Sequence, residues 1–216
     1  ISHNHYDHLD EASVKALAAQ PGGSPLFVVP LGIERWLADK GIGGARALDW
    51  WDRIESHGLA ITLVPAQHWS RRSFFDTLQT LWGGFVVESG AAAAAGRASA
   101  PRRRVYWAGD TGWSAQHVGE IGRRFAPIDL ALIPIGAYEP RWFMRQQHVN
   151  PEEAVRIHQA VGARHSLGVH WGTFLMTDEP LDQPLADLEA ARRALDVPAE
   201  RFRTLRHGQT WTLGDC

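Results

Sequence analysis

The sequence predicts a layered fold of the α/β or α+β class, in which helices cover a β-sheet. Short apolar runs that are typical of strands alternate along the chain with capped, amphipathic segments that are typical of helices. The chain has 216 residues, enough for one domain with a sizeable core, and no repeat of fixed period is evident. We therefore expect residues 1–216 to form a single domain.

The strands are predicted from apolar or alternating runs bounded by turn residues. They fall at residues 26–30, 59–64, 81–88, 105–108, 130–135 and 167–170. Two further runs, 202–205 and 210–213, flank Gly208 and are expected to form a closing hairpin. Residues 89–104, rich in Ala, Gly and Arg, are expected to be a flexible inserted loop that joins two strands of a hairpin.

The helices are predicted from their start signals. Asp10 before Glu11 predicts one helix start, and further helices are expected at 33–39, 115–125 and 184–195. The strongest start is Asn150-Pro151-Glu152-Glu153, which offers a cap, a proline in the first turn and a glutamate three residues after the cap.

Composition narrows the range of partners. The formal net charge of -2 gives no electrostatic footprint for nucleic acid, which we exclude as a partner. The single cysteine, Cys216, leaves nitrogen and oxygen atoms as the ligands for any metal. The chain opens at Ile1 without a methionine, so we expect upstream residues, and no targeting signal can be read. Separately, we expect a cytoplasmic or peripheral membrane location. Oligomeric state is left open.

The opening hexapeptide, His3-Asn4-His5-Tyr6-Asp7-His8, concentrates four potential metal ligands. In an extended segment, residues two apart point the same way, so His3 and His5 can share one ion. Asp7 and His8 can then face a second ion. The alternative is a surface histidine run such as a tag, but the interleaved aspartate and the capped helix that follows favour a metal site.

Three more candidate ligands, His68, Asp110 and His170, each stand just after a predicted strand. Ligands at strand ends are held rigidly near one edge of a sheet. Each residue alone is more often a packed histidine or a turn aspartate, but together they complete a two-metal set.

These segments resemble the metallo-β-lactamase superfamily, whose signature is His-x-His-x-Asp-His. More narrowly, they resemble the family of N-acylphosphatidylethanolamine-hydrolysing phospholipase D and its bacterial relatives. The most specific matching segment is 133–144, and the shorter ones are 1–10, 48–51, 67–69, 81–83, 108–112, 148–158 and 170–174.

The resemblance implies an αββα sandwich, here without its N-terminal strands, and a site for two Zn²⁺ ions. His3, His5 and His68 would hold one ion. Asp7, His8 and His170 would hold the other, with Asp110 bridging both. Iron or manganese is possible in place of zinc.

Two such ions lower the pKa of a shared water to about 7 and stabilise both oxygens of an in-line displacement. The resemblance therefore implies hydrolysis of a phospholipid or another phosphodiester, with Asp7, Asp110 and His148 as catalytic residues. His148 would also bind the substrate phosphate, donating a hydrogen bond to it or protonating the leaving alkoxide. A structural histidine that fixes the loop is the alternative. His207 is a weaker candidate for the same substrate-binding role.

A loop over the site is expected to contain Tyr138 and Arg141 as substrate contacts, although pairing of Arg141 with Glu139 is an equal alternative. Most of the ten tryptophans belong in the core, and some could line an acyl channel or contact a membrane. Two rival functions stay open: a lactonase or other hydrolase of soluble substrates, and an inactive metal-binding fragment.

Overall fold

The computed structural model describes residues 1–90 and 102–214, which form two sheets and six helices. The strands are β1 Val28–Pro30, β2 Arg46–Leu48, β3 Arg53–Ser56, β4 Leu59–Val64, β5 Gly84–Ser89, β6 Arg104–Trp107, β7 Ile128–Pro134, β8 Ala163–Val169 and β9 Phe202–Arg203. The helices are α1 Glu11–Ala18, α2 Ile33–Asp39, α3 Ala115–Phe125, α4 Arg141–Met144, α5 Pro151–Ala160 and α6 Gln183–Ala194.

The larger sheet has seven strands in sequential order, from β3 to β9. The strands from β3 to β6 are antiparallel neighbours, whereas those from β6 to β9 run parallel. Because parallel strands end at the same edge, the loops after β6, β7 and β8 emerge together. This edge carries the candidate site.

The burial pattern shows four layers of helices and sheets. Helices α3, α5 and α6 cover one face of the large sheet, over a core that includes Tyr106, Ile133 and Ile157. The small parallel sheet, β1 with β2, carries α1 and α2, and Leu48 lies between the sheets against Leu63. The order helix, sheet, sheet, helix confirms the predicted α+β sandwich.

The capping signals act as the sequence predicts. Asn150 accepts a hydrogen bond from the backbone N–H of Glu153, and the Glu153 carboxylate accepts one from Asn150 N–H, a complete capping box at the start of α5. Asp10 caps α1 by accepting from Ser13 N–H.

Some boundaries differ from the predictions. The closing hairpin is wrong: β9 pairs in parallel with β8, and residues 210–213 form no strand, although Gly208 makes the expected turn. The strands β2 and β3 were not predicted. The loop predicted at 89–104 is shorter at both ends, because Ser89 and Arg104 belong to β5 and β6, which do pair as a hairpin; its residues 91–101 lie outside the described residues.

Within the described residues, none of the helices combines the length and apolar character that crossing a membrane requires.

Candidate metal centre

The seven predicted ligands meet at the edge where the parallel strands end. His68, Asp110 and His170 follow β4, β6 and β8, as the sequence predicts. The opening residues reach the same edge because Ser2 C=O accepts a hydrogen bond from Gly83 N–H. The chain then turns at residues 5–8, where His8 N–H donates to His5 C=O.

The first ligand group consists of His3, His5 and His68. His5 Nδ1 lies 2.9 Å from His3 Nε2 and 3.3 Å from His68 Nε2. The three rings meet nearly edge to face, so their nitrogens converge on one point.

The second group consists of Asp7, His8, Asp110 and His170. Asp7 Oδ2 lies 3.3 Å from the Nε2 atoms of both His8 and His170. Asp110 Oδ2 lies 3.0 Å from His8 Nε2, and Asp110 Oδ1 lies 3.4 Å from His170 Nε2.

Asp110 connects the two groups. Its Oδ2 atom is 3.8 Å from His3 Nε2 and 3.9 Å from His68 Nε2, and its side chain is buried. Asp110 Oδ2 thus lies within 4 Å of histidines from both groups, as a bridging ligand would.

The spacing fits two ions of zinc size. Four tetrahedral ligands, each about 2.0–2.1 Å from zinc, lie roughly 3.4 Å from one another, close to the separations within both groups. In addition, His8 Nε2 and Asp110 Oδ1 are buried and contact other ligand atoms at 3.0–3.4 Å without hydrogen-bond geometry. Buried polar atoms that lack a partner are costly unless something else satisfies them, and a cation would do so. The residues present therefore fit a two-metal centre.

The histidines of the two ligand groups differ in protonation. Burial, reinforced by neighbouring histidines, holds the pKa of His3 well below its usual range, and burial lowers that of His68 to about 3. Both imidazoles are neutral and keep a free lone pair for a metal.

The second group carries compensating charge. Burial alone would lower the pKa of His8, but the carboxylates of Asp110 and Asp7 outweigh it and raise the pKa to about 9. The same carboxylates raise the pKa of His170 against its burial. Burial opposes ionisation of Asp110, but the histidines keep its pKa well below the usual value. Protons on His8 and His170 thus offset the negative charge of the carboxylates, and a bound cation would displace these protons.

Neighbouring groups fix the ligand orientations. His68 Nδ1 lies 3.0 Å from the carbonyl oxygen of Gln147, to which it donates, and this leaves Nε2 as the ligand atom. Ser2 Oγ contacts the Nδ1 atoms of His3 and His8 at 3.1 and 3.3 Å. Ser2, next to His3 in sequence, therefore orients two ligand imidazoles directly. Thr111, next to Asp110 in sequence, instead accepts a hydrogen bond from Gln67 N–H through its Oγ1 atom.

His148 belongs to neither of these two groups, but it forms a third possible ligand group with His68 and Asp110. Its Nε2 atom is 3.9 Å from Asp110 Oδ2, and its ring centre is 5.2 Å from that of His68. Burial lowers the pKa of His148 to about 4, so it is neutral at pH 7. The neutral imidazole can donate a hydrogen bond there through its one N–H, but it lacks the second proton that an imidazolium would transfer to a leaving group.

A cavity of about 380 Å³ opens from the second group. Asp7 and His170 stand at its polar end, and His207 also lines it, with Nε2 3.2 Å from Thr173 Oγ1. The rest of its lining is largely apolar: Leu167, Val169, Trp171, Phe174, Met176, Leu181 and Leu205. His207 therefore lies at the cavity that opens from the second group, and its role as a substrate contact stays a prediction.

The structure gives Tyr138 and Arg141 hydrogen-bond partners within the protein, and their role as substrate contacts stays a prediction. The buried Tyr138 hydroxyl donates to Asp187 on α6, away from the metal ligands. The Arg141 guanidinium donates to the carbonyl oxygen of His148 at 2.8 Å and to Glu153 Oε2 at 2.7 Å. The Arg141 guanidinium thus forms an ion pair with Glu153, whereas Glu139 accepts a hydrogen bond from the Arg141 backbone N–H at 2.9 Å.

Glu179 is a residue of this site that no sequence motif indicated. Its buried carboxylate accepts hydrogen bonds from the backbone N–H groups of Ala137, Tyr138 and Glu139, at 2.6, 3.2 and 3.0 Å. Glu179 thereby ties the cavity wall to the loop after β7.

Known proteins show the same fold and similar sequences. A family model described as a Beta-lactamase superfamily domain matches residues 1–171. The chain is 39% identical over 229 residues to N-acyl-phosphatidylethanolamine-hydrolyzing phospholipase D 1 of Caenorhabditis elegans, covering 100% of this chain and 60% of the worm protein. It is 34% identical over 194 residues to the mitochondrial N-acyl-phosphatidylethanolamine-hydrolyzing phospholipase D of Saccharomyces cerevisiae, covering 88% of this chain and 39% of that protein.

The chain thus spans less than two thirds of the length of these two relatives. Among solved structures, a metallo hydrolase of Ignicoccus hospitalis superposes with a TM-score of 0.63 at 22% identity, over 95% of this chain and 74% of its own. That likeness concerns the fold.

Proposed function

The chain belongs to the beta-lactamase superfamily, and on that premise we propose that it is a dinuclear zinc phosphodiesterase of phospholipase D type. Its substrate would be an N-acylphosphatidylethanolamine-like lipid, and its products an N-acylethanolamine and a phosphatidic acid. The observation that carries the proposal is the position of Asp110 between two ligand groups, beside an apolar cavity.

Phosphodiester hydrolysis suits this arrangement. Two bound ions would supply an activated water and would stabilise charge on the phosphoryl oxygens. The water oxygen would bond to phosphorus, the bond from phosphorus to the ethanolamine oxygen would break, and a proton from the water would pass to that oxygen. Neutral His148, at the edge of the ligand groups, donates a hydrogen bond to a phosphoryl oxygen and so orients the substrate.

The cavity favours a lipid. Its apolar lining can bury acyl chains, while Asp7 and His170 stand where the polar headgroup would lie. The two relatives described above carry names that state hydrolysis of this lipid class.

The donor set favours zinc. Imidazole nitrogens and carboxylate oxygens suit zinc, and the spacing fits tetrahedral coordination. Iron or manganese also accept such ligands. Elemental analysis of protein purified without added metal decides between them.

The test is hydrolysis of N-acylphosphatidylethanolamine in detergent micelles by the zinc-loaded protein. We expect release of N-acylethanolamine and phosphatidic acid in equal amounts, its loss with a chelator, and its loss in Asp110→Asn. His57→Asn is the control: His57 is exposed, far from the ligands, and its left-handed backbone suits asparagine. Activity that survives both the chelator and Asp110→Asn would refute the proposal.

A panel of lactones and soluble phosphodiesters separates the rival functions. If the protein prefers a lactone, the proposed metal centre stands, but the bond that it hydrolyses is an ester and not the proposed phosphodiester. No turnover of any substrate by a protein with two bound ions would support the inactive fragment.

A further inference from the structure

We propose that Arg72 is a positioning residue that fixes the turn at residues 5–8 and thereby sets the affinity of the second metal site. The inference rests on the metal centre of the proposed function. Arg72 lies between β4 and β5, in the loop that follows the ligand His68, and no sequence motif singles it out. It acts on the ligands through the backbone of the turn.

One guanidinium nitrogen joins the two ends of the turn. Arg72 Nη1 donates hydrogen bonds to the carbonyl oxygen of Asn4 at 2.9 Å and to that of Leu9 at 2.6 Å. Asn4 precedes the turn and Leu9 follows it, so a single group fixes the distance between its ends. Hydrogen bonds from a charged donor are stronger than those between neutral groups.

The bonds inside the turn leave this task to Arg72. The N–H groups of His8 and Leu9 donate to the carbonyl oxygen of His5, at 3.1 and 2.9 Å. Because these two bonds share one acceptor, they define the bend after His5. The bonds from Arg72 add the position of Leu9 relative to Asn4.

The guanidinium is itself held in place by two aromatic rings. Its central carbon lies 4.1 Å from the centre of the Tyr6 ring and 4.8 Å from the centre of the Trp36 ring, on α2. The Tyr6 hydroxyl donates to the carbonyl oxygen of Arg72, and Asp76 accepts from its N–H. A residue that positions ligands must be fixed in this way by its own neighbours.

The turn carries a larger share of the second ligand group than of the first. Asp7 and His8 are two of the four ligands of the second group, whereas His5 is one of the three of the first. In the first group, His68 has an anchor outside the turn, the carbonyl oxygen of Gln147. We therefore expect displacement of the turn to weaken the second ion more than the first.

The charge of Arg72 makes the role testable by sign. A guanidinium near two metal sites repels the bound cations, so its charge alone would lower metal affinity. Its hydrogen bonds to the turn would raise that affinity by holding the ligands in place. Removal of the side chain therefore tightens metal binding if the charge dominates and weakens it if positioning dominates.

The test measures the zinc affinity of the intact chain in competition with a chelator of known affinity. Arg72→Met removes the hydrogen bonds and the charge but keeps a long apolar side chain. We expect the second ion to bind about 10–100-fold more weakly, the usual effect of losing a group that orients metal ligands. Arg72→Lys keeps the charge but loses the planar fork, so its affinity should fall between those of the wild type and Arg72→Met.

Cobalt-loaded protein gives a second readout. The visible absorption of bound Co²⁺ depends on its coordination geometry, so the spectrum should change in Arg72→Met and move back towards that of the wild type in Arg72→Lys.

Arg71→Met is the matched control, because it removes the same charge from the neighbouring residue. The Arg71 guanidinium donates to the carbonyl oxygen of Ser73 in its own loop and lies 5.0 Å from the centre of the Phe74 ring. We expect Arg71→Met to bind both ions with close to wild-type affinity and to keep the cobalt spectrum.

Tyr6→Ser tests the same arrangement without altering Arg72, in case Arg72→Met does not fold. Tyr6 is 68% exposed, so its loss should change stability little. It removes the ring beside the guanidinium and should weaken the second ion about two- to fivefold.

Unchanged or tighter zinc binding in Arg72→Met would overturn the proposal. So would equal weakening of both ions, which would indicate a general loss of structure, or unchanged binding in Tyr6→Ser where Arg72→Met is unfolded.

The two proposals fail separately. A wild-type protein that binds two zinc ions but releases no N-acylethanolamine would refute the phospholipase function alone. Two ions bound equally well by the wild type and by Arg72→Met would refute the role of Arg72 alone.

Discussion

Gly136 is a position where one methyl group should disturb the metal centre from outside its ligand set. A Cβ atom at Gly136 would lie 2.3 Å from the carbonyl oxygen of His170 and 3.3 Å from Trp171 Cα. An ordinary contact needs roughly 3.4 Å or more, so alanine requires a shift of about 1 Å in the backbone. Because Ile135 N–H is bonded to Val169 C=O, the two chains cannot simply move apart.

We expect Gly136→Ala to lower the free energy of unfolding by about 1–3 kcal/mol, the usual cost of overpacking. For a chain of this size, the midpoint of thermal unfolding would fall by roughly 2–4 °C for each kcal/mol. Displacing His170 by about 1 Å should also weaken the second metal site and reduce kcat/KM by roughly 100-fold.

Calorimetry, metal analysis and hydrolysis assays on one preparation measure all three effects. Gly43→Ala is the control, because a Cβ atom at Gly43 meets nothing within 4 Å and its backbone is not left-handed. A Gly136→Ala protein with wild-type stability and full metal content would show that the contact with His170 does not constrain the site.

Three further changes test the surroundings of the site. Tyr138→Phe removes the hydrogen bond to Asp187 and should cost about 1 kcal/mol of stability while leaving kcat unchanged; a large fall in kcat would identify Tyr138 as a substrate contact. Glu179→Gln turns an amide donor towards one of three backbone N–H groups, so denaturant unfolding should show a loss of about 1–3 kcal/mol, and no loss would count against the clamp. Burial lowers the pKa of His158 to about 4 from 6.5, so the folded state binds fewer protons than the unfolded chain between these values, and stability should fall as pH drops from about 6.5 towards 4. His158→Asn should lessen that fall in urea titrations at pH 7 and pH 5, whereas an equal fall would contradict the assignment.

The sequence predicts most of the elements that carry the site, because their signals are local. The capping box at Asn150 and the apolar run of β7 specify a helix and a buried strand without reference to distant residues. The opening hexapeptide likewise contains its ligands at fixed spacing, and the structure brings all seven predicted ligands together.

What the sequence does not predict depends on distant partners. The short strands β2 and β3 exist because β1 and β4 pair with them, and β9 joins β8 rather than the residues after Gly208. The direction of the Tyr138 hydroxyl is set by Asp187, 49 residues further along the chain. Glu179 follows no motif, since its role arises only when its loop meets the one after β7.

His158 shows the same limit. It lies in α5, where the local sequence alone gives no sign that the side chain is buried. It is nevertheless buried, with Nδ1 2.8 Å from Ser166 Oγ on β8. Only the packing of α5 on the sheet determines that burial.

We propose that two metal ions are held by seven side chains with Asp110 between them. The metal content of purified protein, measured by mass spectrometry for the wild type and for Asp110→Asn, tests this directly. We expect close to two zinc equivalents per chain in the wild type and a clear loss of metal in Asp110→Asn. One equivalent or none in a cooperatively folded wild-type protein, or an unchanged two in the variant, would contradict it.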